Sequence, residues 1–400
     1  MSPAATPSPA MSVALDILRS LAAITVLIGH AVQLKLYTGP WPFDDTFQHG
    51  AVVVFFVLSG FLIHRSATRT ASLRSYAVAR IARILPVAAF AVCFAAAVYW
   101  LLSGLGIAPT DPRVSPRISV GALIVPLLFL SERWTALRPA LDPPYWSLCY
   151  EVWFYVIFGA WFYLRGPIRW VVLCATATIA GVTVLLLLPA WLLGVGASVA
   201  LRRGVTISRP PLTIVVTATL VLLLVGSGAA RVVSQSSRAS VGLPDLEFSN
   251  YWIVDTGQAA LLALAVVAIG SLRSAVPTAL LMASARPARW FAALTFTLYL
   301  LHWPILTLLH ATGITAGNSL VAFGPILLMP VAVAALLAPT LEGRWSRRLR
   351  QWLDRVAAPD ALAARSPPSR WREDGGLRIS RAATRRAIAS RRSARRHRPG

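Results

Sequence analysis

The chain has 400 residues, 56% of them hydrophobic and only 13% charged, with a mean hydropathy of +0.65. Soluble domains are about a quarter charged, so an ordinary globular enzyme is excluded, and the length describes one polytopic, all-α membrane bundle with a tail. The net charge of +23 rests almost wholly on arginine, since Lys35 is the only lysine. Residues 342–400 alone hold 17 arginines against five acids.

Residues 1–12 are a short Pro/Ala/Ser lead. They have no basic n-region and the first apolar run carries Arg19, so no secretory signal peptide is expected. About ten spans are expected, near 13–35, 50–63, 82–103, 145–164, 169–188, 190–201, 212–229, 253–272, 290–311 and 320–341. The apolar run 118–130 is short for a span and is taken as re-entrant or interfacial. With it outside the count, Arg65 to Arg83, Arg165 and Arg169, Arg202 to Arg209, Arg273 to Arg289 and the basic tail all fall on one side. Cytoplasmic loops carry the arginine excess, so both termini are expected in the cytoplasm. Residues 342–356 place Trp345, Leu349, Trp352, Leu353 and Val356 at helical spacing among arginines, the pattern of an amphipathic juxtamembrane helix. Residues 357–400 are Arg-rich and poor in large apolar residues, hence expected to be disordered. Anionic lipid is their expected partner; nucleic acid is not, because no folded nucleic-acid module is visible. Cys93, Cys149 and Cys174 suggest neither a disulfide framework nor a metal site.

Five stretches carry the chemistry. LDILRSLAAITVLIGH, Leu15 to His30, puts Asp16, Arg19 and His30 into an apolar run, where ionisable groups are costly and functional by default. Eleven residues separate Arg19 from His30, close to three helical turns, so both share a face roughly 16 Å apart along the axis. Asp16 lies one turn before Arg19 and can pair with it; a buried ion pair and a hydrogen-bonded histidine would account for the same residues. FFVLSGFLI, Phe55 to Ile63, offers Ser59 and Gly60 for close helix approach, and no nucleophile elbow surrounds Ser59. In YAVARIARILP, Arg80 and Arg83 stand one turn apart and either clamp phosphate or anchor the helix at the inner surface. In DPPYWSLCYEVWFY, Pro143 and Pro144 precede a helix start, and Ser147, Glu151 and Tyr155 share one face. Glu151 needs a partner there: an imidazole on a functional reading, a neighbouring Arg or Tyr on a structural one. TFTLYLLHWPIL gives Thr295, Tyr299 and His302 as a polar stripe, with Pro304 loosening the helix beside His302. His49, His64 and His310 sit near span ends and rank lower. In the ten-span topology His30, Glu151 and His302 fall in the outer half of the membrane, with Arg80 and Arg83 at the inner surface and Arg19 nearer that side.

In order, these stretches resemble the acyltransferase-3 family, the multispan bacterial O-acyltransferases of surface sugars, antibiotics and nodulation factors. The matches are the LD-x-LR-x-LA opening with Arg19 and His30, FFVLSGFLI, the R-x-x-R pair Arg80 and Arg83, the WSL-x-x-E-x-x-FY block with Glu151, and YLLHWP with His302. They run from residue 15 to about 306 and are specific as a set. Two departures are Val53 and Val152, where many members have acids. The resemblance implies a bacterial cytoplasmic-membrane protein, with acyl-CoA, usually acetyl-CoA, as co-substrate from the cytoplasm. It implies an acceptor hydroxyl on a saccharide or glycosylated small molecule.

On that basis His30 is the expected general base. Glu151 is expected to orient or charge-balance an imidazole, His30 or His302, and Arg80 and Arg83 to bind CoA phosphates. Arg19 steadies the same anion or pairs with Asp16; Ser147, Tyr155, Tyr299 and His302 line the cavity. Direct transfer is favoured over an acyl-enzyme, no cofactor is held and no metal is implied. The competing expectation is a proton-coupled transporter using Asp16, Arg19, His30, Glu151 and His302 as a relay, against which stands the lack of visible repeats and paired broken helices. A scaffold that recruits partners through its tail is a third.

Overall fold

The computed structural model describes residues 8–44, 46–107, 118–133, 137–226, 228–241, 246–272 and 278–356. The chain divides into units Met1–Asp354 and Arg355–Gly400, and nearly all of the second, including the Arg-rich segment 357–400, lies outside the described residues. Among those residues the first unit is helix and loop without strands. The helices are α1 (Pro9–Gln33), α2 (Thr46–Ala67), α3 (Leu73–Gly104), α4 (Val120–Leu127), α5 (Trp146–Tyr163), α6 (Gly166–Ala180) and α7 (Val182–Arg202), followed by α8 (Pro210–Gly226), α9 (Ala229–Val241), α10 (Trp252–Ser271), α11 (Thr278–Ala311), α12 (Leu320–Ala338) and α13 (Ser346–Val356). A π-helical segment, Pro339–Trp345, joins α12 to α13 without a break.

The helices begin where side chains can satisfy the first free N–H groups. Ser8, Ser72, Ser119 and Ser319 each accept a hydrogen bond from the backbone N–H three residues on. Several helices outrun their apolar sequence. The expected span 50–63 is part of a helix from Thr46 to Ala67, because Thr46 and Gln48 are buried inside the bundle and do not end it. A second expectation is corrected near residue 189. The chain does not break at Pro189, which lies inside α7. It breaks at Gly181, whose φ of +83° suits glycine alone among common residues.

Among the described residues seven helical runs are long and apolar enough to cross a membrane: α1, α2, α3, α7, α10, α11 from Ser284, and Leu320–Val356. The bent pair α8 and α9 would add an eighth. The remaining two of the ten expected segments are α5, 18 residues diluted by Trp, Tyr and Glu151, and α6, 15 residues. The eight residues of α4 rise about 12 Å, well short of a bilayer core of about 30 Å.

Helices α2 and α11 are the most enclosed of these, with 78% and 83% of their apolar windows buried, whereas α12 is 22% buried. Helix α1 packs against both α2 and α11, so its polar stripe faces inward. The tightest crossing joins α2 to α7. A Cβ on Gly60 would overlap the Trp191 carbonyl oxygen, and one on Gly194 would overlap the Val57 carbonyl oxygen. Small residues let helix backbones meet in this way, and the contact seats Trp191 fully inside the core beside Phe154 and Phe158.

The crossing predicts a contrast within one helix. Gly194→Ala forces two backbones apart and should destabilise the detergent-solubilised protein by about 1–3 kcal/mol, the usual range for overpacking. Gly196→Ala, with nothing within 4 Å of the added carbon, should leave the thermal midpoint unchanged. Equal midpoints for the two variants would discount the close contact.

Candidate active site

Five helices converge on a cavity of about 100 Å³. Helix α1 contributes Arg19, α2 Phe55 and Ser59, α3 Arg80 and Arg83, α5 Ser147, Glu151 and Tyr155, and α11 Thr295 and Tyr299. Ser147, Glu151 and Tyr155 recur every four residues and all face this space, as one helical face requires. The expected substrate-facing residues are thus brought together, and the arginines from two distant stretches join them.

The charges are arranged in alternation. Arg19 lies within electrostatic reach of Asp16, Arg83 and Glu151. Among the described residues no close ion pair joins Asp16 to Arg19, and Asp16 also feels Arg289. Arg80 donates weakly to Ser66 at 3.4 Å, and its Nε is buried without a hydrogen-bond partner. Arg83 is exposed. An unpartnered guanidinium donor beside a second arginine is a ready anion site.

Glu151 departs from expectation. Its carboxylate accepts from the Tyr155 hydroxyl one turn along α5, not from an imidazole. Because that hydroxyl is spent on Glu151, the Ser59 hydroxyl must donate to the Tyr155 oxygen, at 2.9 Å. The Trp191 N–H in turn donates to the Ser59 oxygen at 3.2 Å. The relay Trp191, Ser59, Tyr155, Glu151 runs one way and ends on a carboxylate facing arginines. Ser59 serves there as a link.

Glu342 joins the same charge set. The π-helical segment turns its carboxylate onto Thr297, which donates from both its backbone N–H (3.1 Å) and its hydroxyl (2.6 Å). Arg83 and Arg19 are within its electrostatic reach. The sequence reading missed this residue: in sequence it looks like an ordinary first acid of an amphipathic helix.

His30 lies elsewhere, in a second cavity of about 130 Å³ with Gln33, Gln48, His49, Trp146, Glu247, Phe248 and Tyr251. Tyr299 and Val52 line both cavities and so form the wall between them. The Tyr299 hydroxyl is pinned by Ser147 Oγ at 2.6 Å and the Pro144 carbonyl at 3.2 Å. That carbonyl belongs to the Pro143–Tyr145 3-10 turn that opens α5.

His302 does not line either cavity. It is 1% exposed and stands behind His30. Its Nδ1 lies 2.7 Å from the Tyr299 carbonyl and 3.2 Å from the Leu298 carbonyl. Carbonyls only accept, so Nδ1 carries the proton and Nε2 of the neutral ring is an acceptor. His30 Nδ1 sits 2.8 Å from that Nε2, with the two ring planes 7° apart. His30 therefore donates from Nδ1, and its Nε2 holds the lone pair. An imidazole fixed in that tautomer is a proton acceptor.

A second pair escaped the sequence reading. His49 Nε2 lies 3.0 Å from Asp255 Oδ2. Their positions are 206 residues apart. The only available signal was an aspartate near the start of an apolar helix, Trp252 to Ser271. Loops close over this end of the bundle: Arg138 binds Glu132 through two hydrogen bonds of 2.9 and 2.8 Å, reaches Glu247 at 3.3 Å and lies over Phe248. Among the described residues no cluster of three or more His, Cys, Asp or Glu could hold a metal ion.

Residues 12–340 match the sequence profile of the acyltransferase 3 family, described as an acyltransferase domain. The chain is 41% identical over 75 residues to nodulation protein 10 of Rhizobium leguminosarum bv. viciae, which is 18% of this chain and 20% of that protein. It is 30% identical over 175 residues to the acyltransferase MdmB of Streptomyces mycarofaciens, 41% of this chain and 43% of that protein. The matched stretches therefore span less than half the length of these curated relatives. No solved structure matches. Because the match runs through every helix that builds the two cavities, the chain belongs to the acyltransferase 3 family.

Proposed function

We propose that the protein transfers an acyl group, acetyl being the simplest, from acyl-CoA to a hydroxyl of a saccharide or glycosylated small molecule. The observation that carries this reading is the pair of cavities, one lined by arginines and one by His30, with Tyr299 as their common wall. The arginine-bearing end faces the cytoplasm, in keeping with the placement of basic residues in cytoplasmic loops, and the protein sits in a bacterial cytoplasmic membrane with both ends inside. The basic C-terminal segment rests on anionic lipid headgroups.

Arg80 and Arg83 bind the CoA phosphates, and Arg19 steadies the same anion deeper in the bundle. Glu151, held by Tyr155, balances Arg19 and Arg83 so that three guanidiniums can stand together before the donor arrives. The acceptor hydroxyl occupies the His30 cavity. His30 Nε2 takes its proton as the oxygen attacks the thioester carbonyl. The tetrahedral intermediate collapses to the ester, and the departing CoA thiolate receives the proton. Transfer is direct, with no covalent acyl-enzyme. Tyr299 swings or yields at the wall so that the two substrates meet; Ser147 and the Pro144 carbonyl set its resting position. His302 keeps His30 in the base-competent tautomer.

The test is acyl transfer by purified protein in liposomes, with radiolabelled acetyl-CoA and a lipid-linked and glycoside extract as acceptor source. His30→Ala should lower the maximal rate about 10²- to 10⁴-fold, the usual worth of a general base, with the protein still in the membrane; an undiminished yield removes His30 from the chemistry. Loss of one charge-assisted contact is worth about 1.5–3 kcal/mol, so Arg80→Ala should raise the acetyl-CoA requirement roughly 10- to 100-fold at a similar maximal rate. An unaltered requirement would return Arg80 to simple anchoring. His302→Phe fills the same space without an acceptor nitrogen and should slow transfer while sparing both substrate requirements; full activity would discount the tautomer lock.

A further inference from the structure

The proposed reaction drives negative charge onto the thioester carbonyl oxygen, and none of the roles given so far meets it: His30 takes a proton and the arginines hold phosphate. Such charge is best met by a hydrogen-bond donor already in place where the oxygen will lie. The reacting carbonyl has to stand where the two cavities meet, and among the described residues only Val52 and Tyr299 line both. Val52 has no polar side-chain atom to offer. The Tyr299 hydroxyl is fixed at that boundary from both sides. Ser147 Oγ, 2.6 Å away, belongs to the arginine-lined cavity, and the carbonyl 3.2 Å away belongs to Pro144, which lines the His30 cavity.

The protons at this point can be counted. Ser147 Oγ also lies 3.3 Å from the Pro144 carbonyl. A carbonyl only accepts, so one hydroxyl donates across the 2.6 Å contact and the other is left with a long bond to the carbonyl. We propose that Ser147 donates to the phenol oxygen and that Tyr299 is the oxyanion donor: its proton leaves the 3.2 Å bond to Pro144 and turns to the thioester oxygen as the acceptor oxygen bonds to carbon. This rests on the acyl-transfer reading of the two cavities. The C=O π pair becomes a lone pair on that oxygen and returns when the C–S bond breaks, and the thiolate takes the proton held on His30. A thiol is a stronger acid than a phenol, with ordinary pKa values of about 8.5 and about 10. The thiolate therefore leaves the Tyr299 proton where it is, and the phenol acts by hydrogen bonding alone. Ser147 is a positioning residue: it holds the hydroxyl at the boundary and polarises its O–H bond.

The liposome assay tests this when acetyl-CoA and extract are each titrated for wild type and variants. Tyr299→Phe keeps the ring and removes the donor. Its maximal rate should fall about 10²- to 10³-fold, the worth of one oxyanion donor, with both half-saturating concentrations little changed. Ser147→Ala should lower the maximal rate roughly 3- to 10-fold, the worth of one neutral hydrogen bond, again without raising either requirement. Mono- and difluorotyrosine placed at position 299 keep the hydroxyl and make it a stronger donor, which separates this role from that of a wall. At one pH where every phenol is protonated, the maximal rate should rise with phenol acidity. An undiminished maximal rate in Tyr299→Phe overturns the proposal, as does a rate that is flat or falling across the fluorinated series. A loss in Tyr299→Phe that takes the form of raised half-saturation at full maximal rate also overturns it, making the hydroxyl a binding group. An undiminished maximal rate in Ser147→Ala overturns the part given to Ser147. No label from wild type instead removes the acyl-transfer reading, and the donor role with it.

Discussion

A backbone carbonyl can only accept a hydrogen bond, and the proposed chemistry of this bundle follows from that restriction at Tyr299. The carbonyl takes the Nδ1 proton of His302, which leaves Nε2 as an acceptor and obliges His30 to donate from Nδ1. The lone pair of His30 is thereby set on Nε2 by a neutral imidazole as the partner of its Nδ1. A charged partner would have raised the basicity of His30 but at the desolvation cost of a buried ion. A neutral imidazole avoids that cost and keeps the base uncharged until it takes a proton. The same residue, Tyr299, supplies the cavity wall with its ring, so the tautomer lock and the barrier between the two cavities move as one piece of α11.

At the other end the problem is reversed. Arg19, Arg80 and Arg83 line one cavity, and like charges gathered there repel. Glu151 and Glu342 offset them from two sides, each held by donors on its own or an adjacent helix. The one-way relay from Trp191 through Ser59 and Tyr155 has every member satisfied, which a buried polar network needs to be stabilising. It depends on the α2–α7 crossing, since the Trp191 indole reaches Ser59 only because Gly60 and Gly194 let the two backbones touch. Packing and electrostatics are therefore one argument at this site.

Helix α1 links the two ends. It carries Arg19 into one cavity and His30 into the other on the same inward face, and its neighbours α2 and α11 are the two most enclosed helices. The loops that lead into α5 and α10 complete the His30 cavity: Arg138 draws Glu132 and Glu247 together over Phe248, while the Pro143–Tyr145 turn offers the carbonyl that positions Tyr299.

The sequence by itself determined the all-α membrane bundle, because apolar runs with so few charges can satisfy their backbones only as helices. It also determined which faces carry chemistry. The three-turn spacing of Arg19 and His30, and the four-residue spacing of Ser147, Glu151 and Tyr155, are properties of any α-helix. The Tyr155 partner of Glu151 was legible on the same ground, lying one turn away, although an imidazole was the expected partner. Span limits were less legible, because Thr46 and Gln48 look like loop residues until a neighbouring helix buries them, and a proline at 189 looks like a break until Gly181 provides one. Only the tertiary structure decided who meets whom across helices. His30 and His302 are 272 positions apart and His49 and Asp255 are 206 apart. Nothing local encodes such pairs; they exist because helix packing sets side chains from distant spans at hydrogen-bond distance, where a buried donor must find an acceptor.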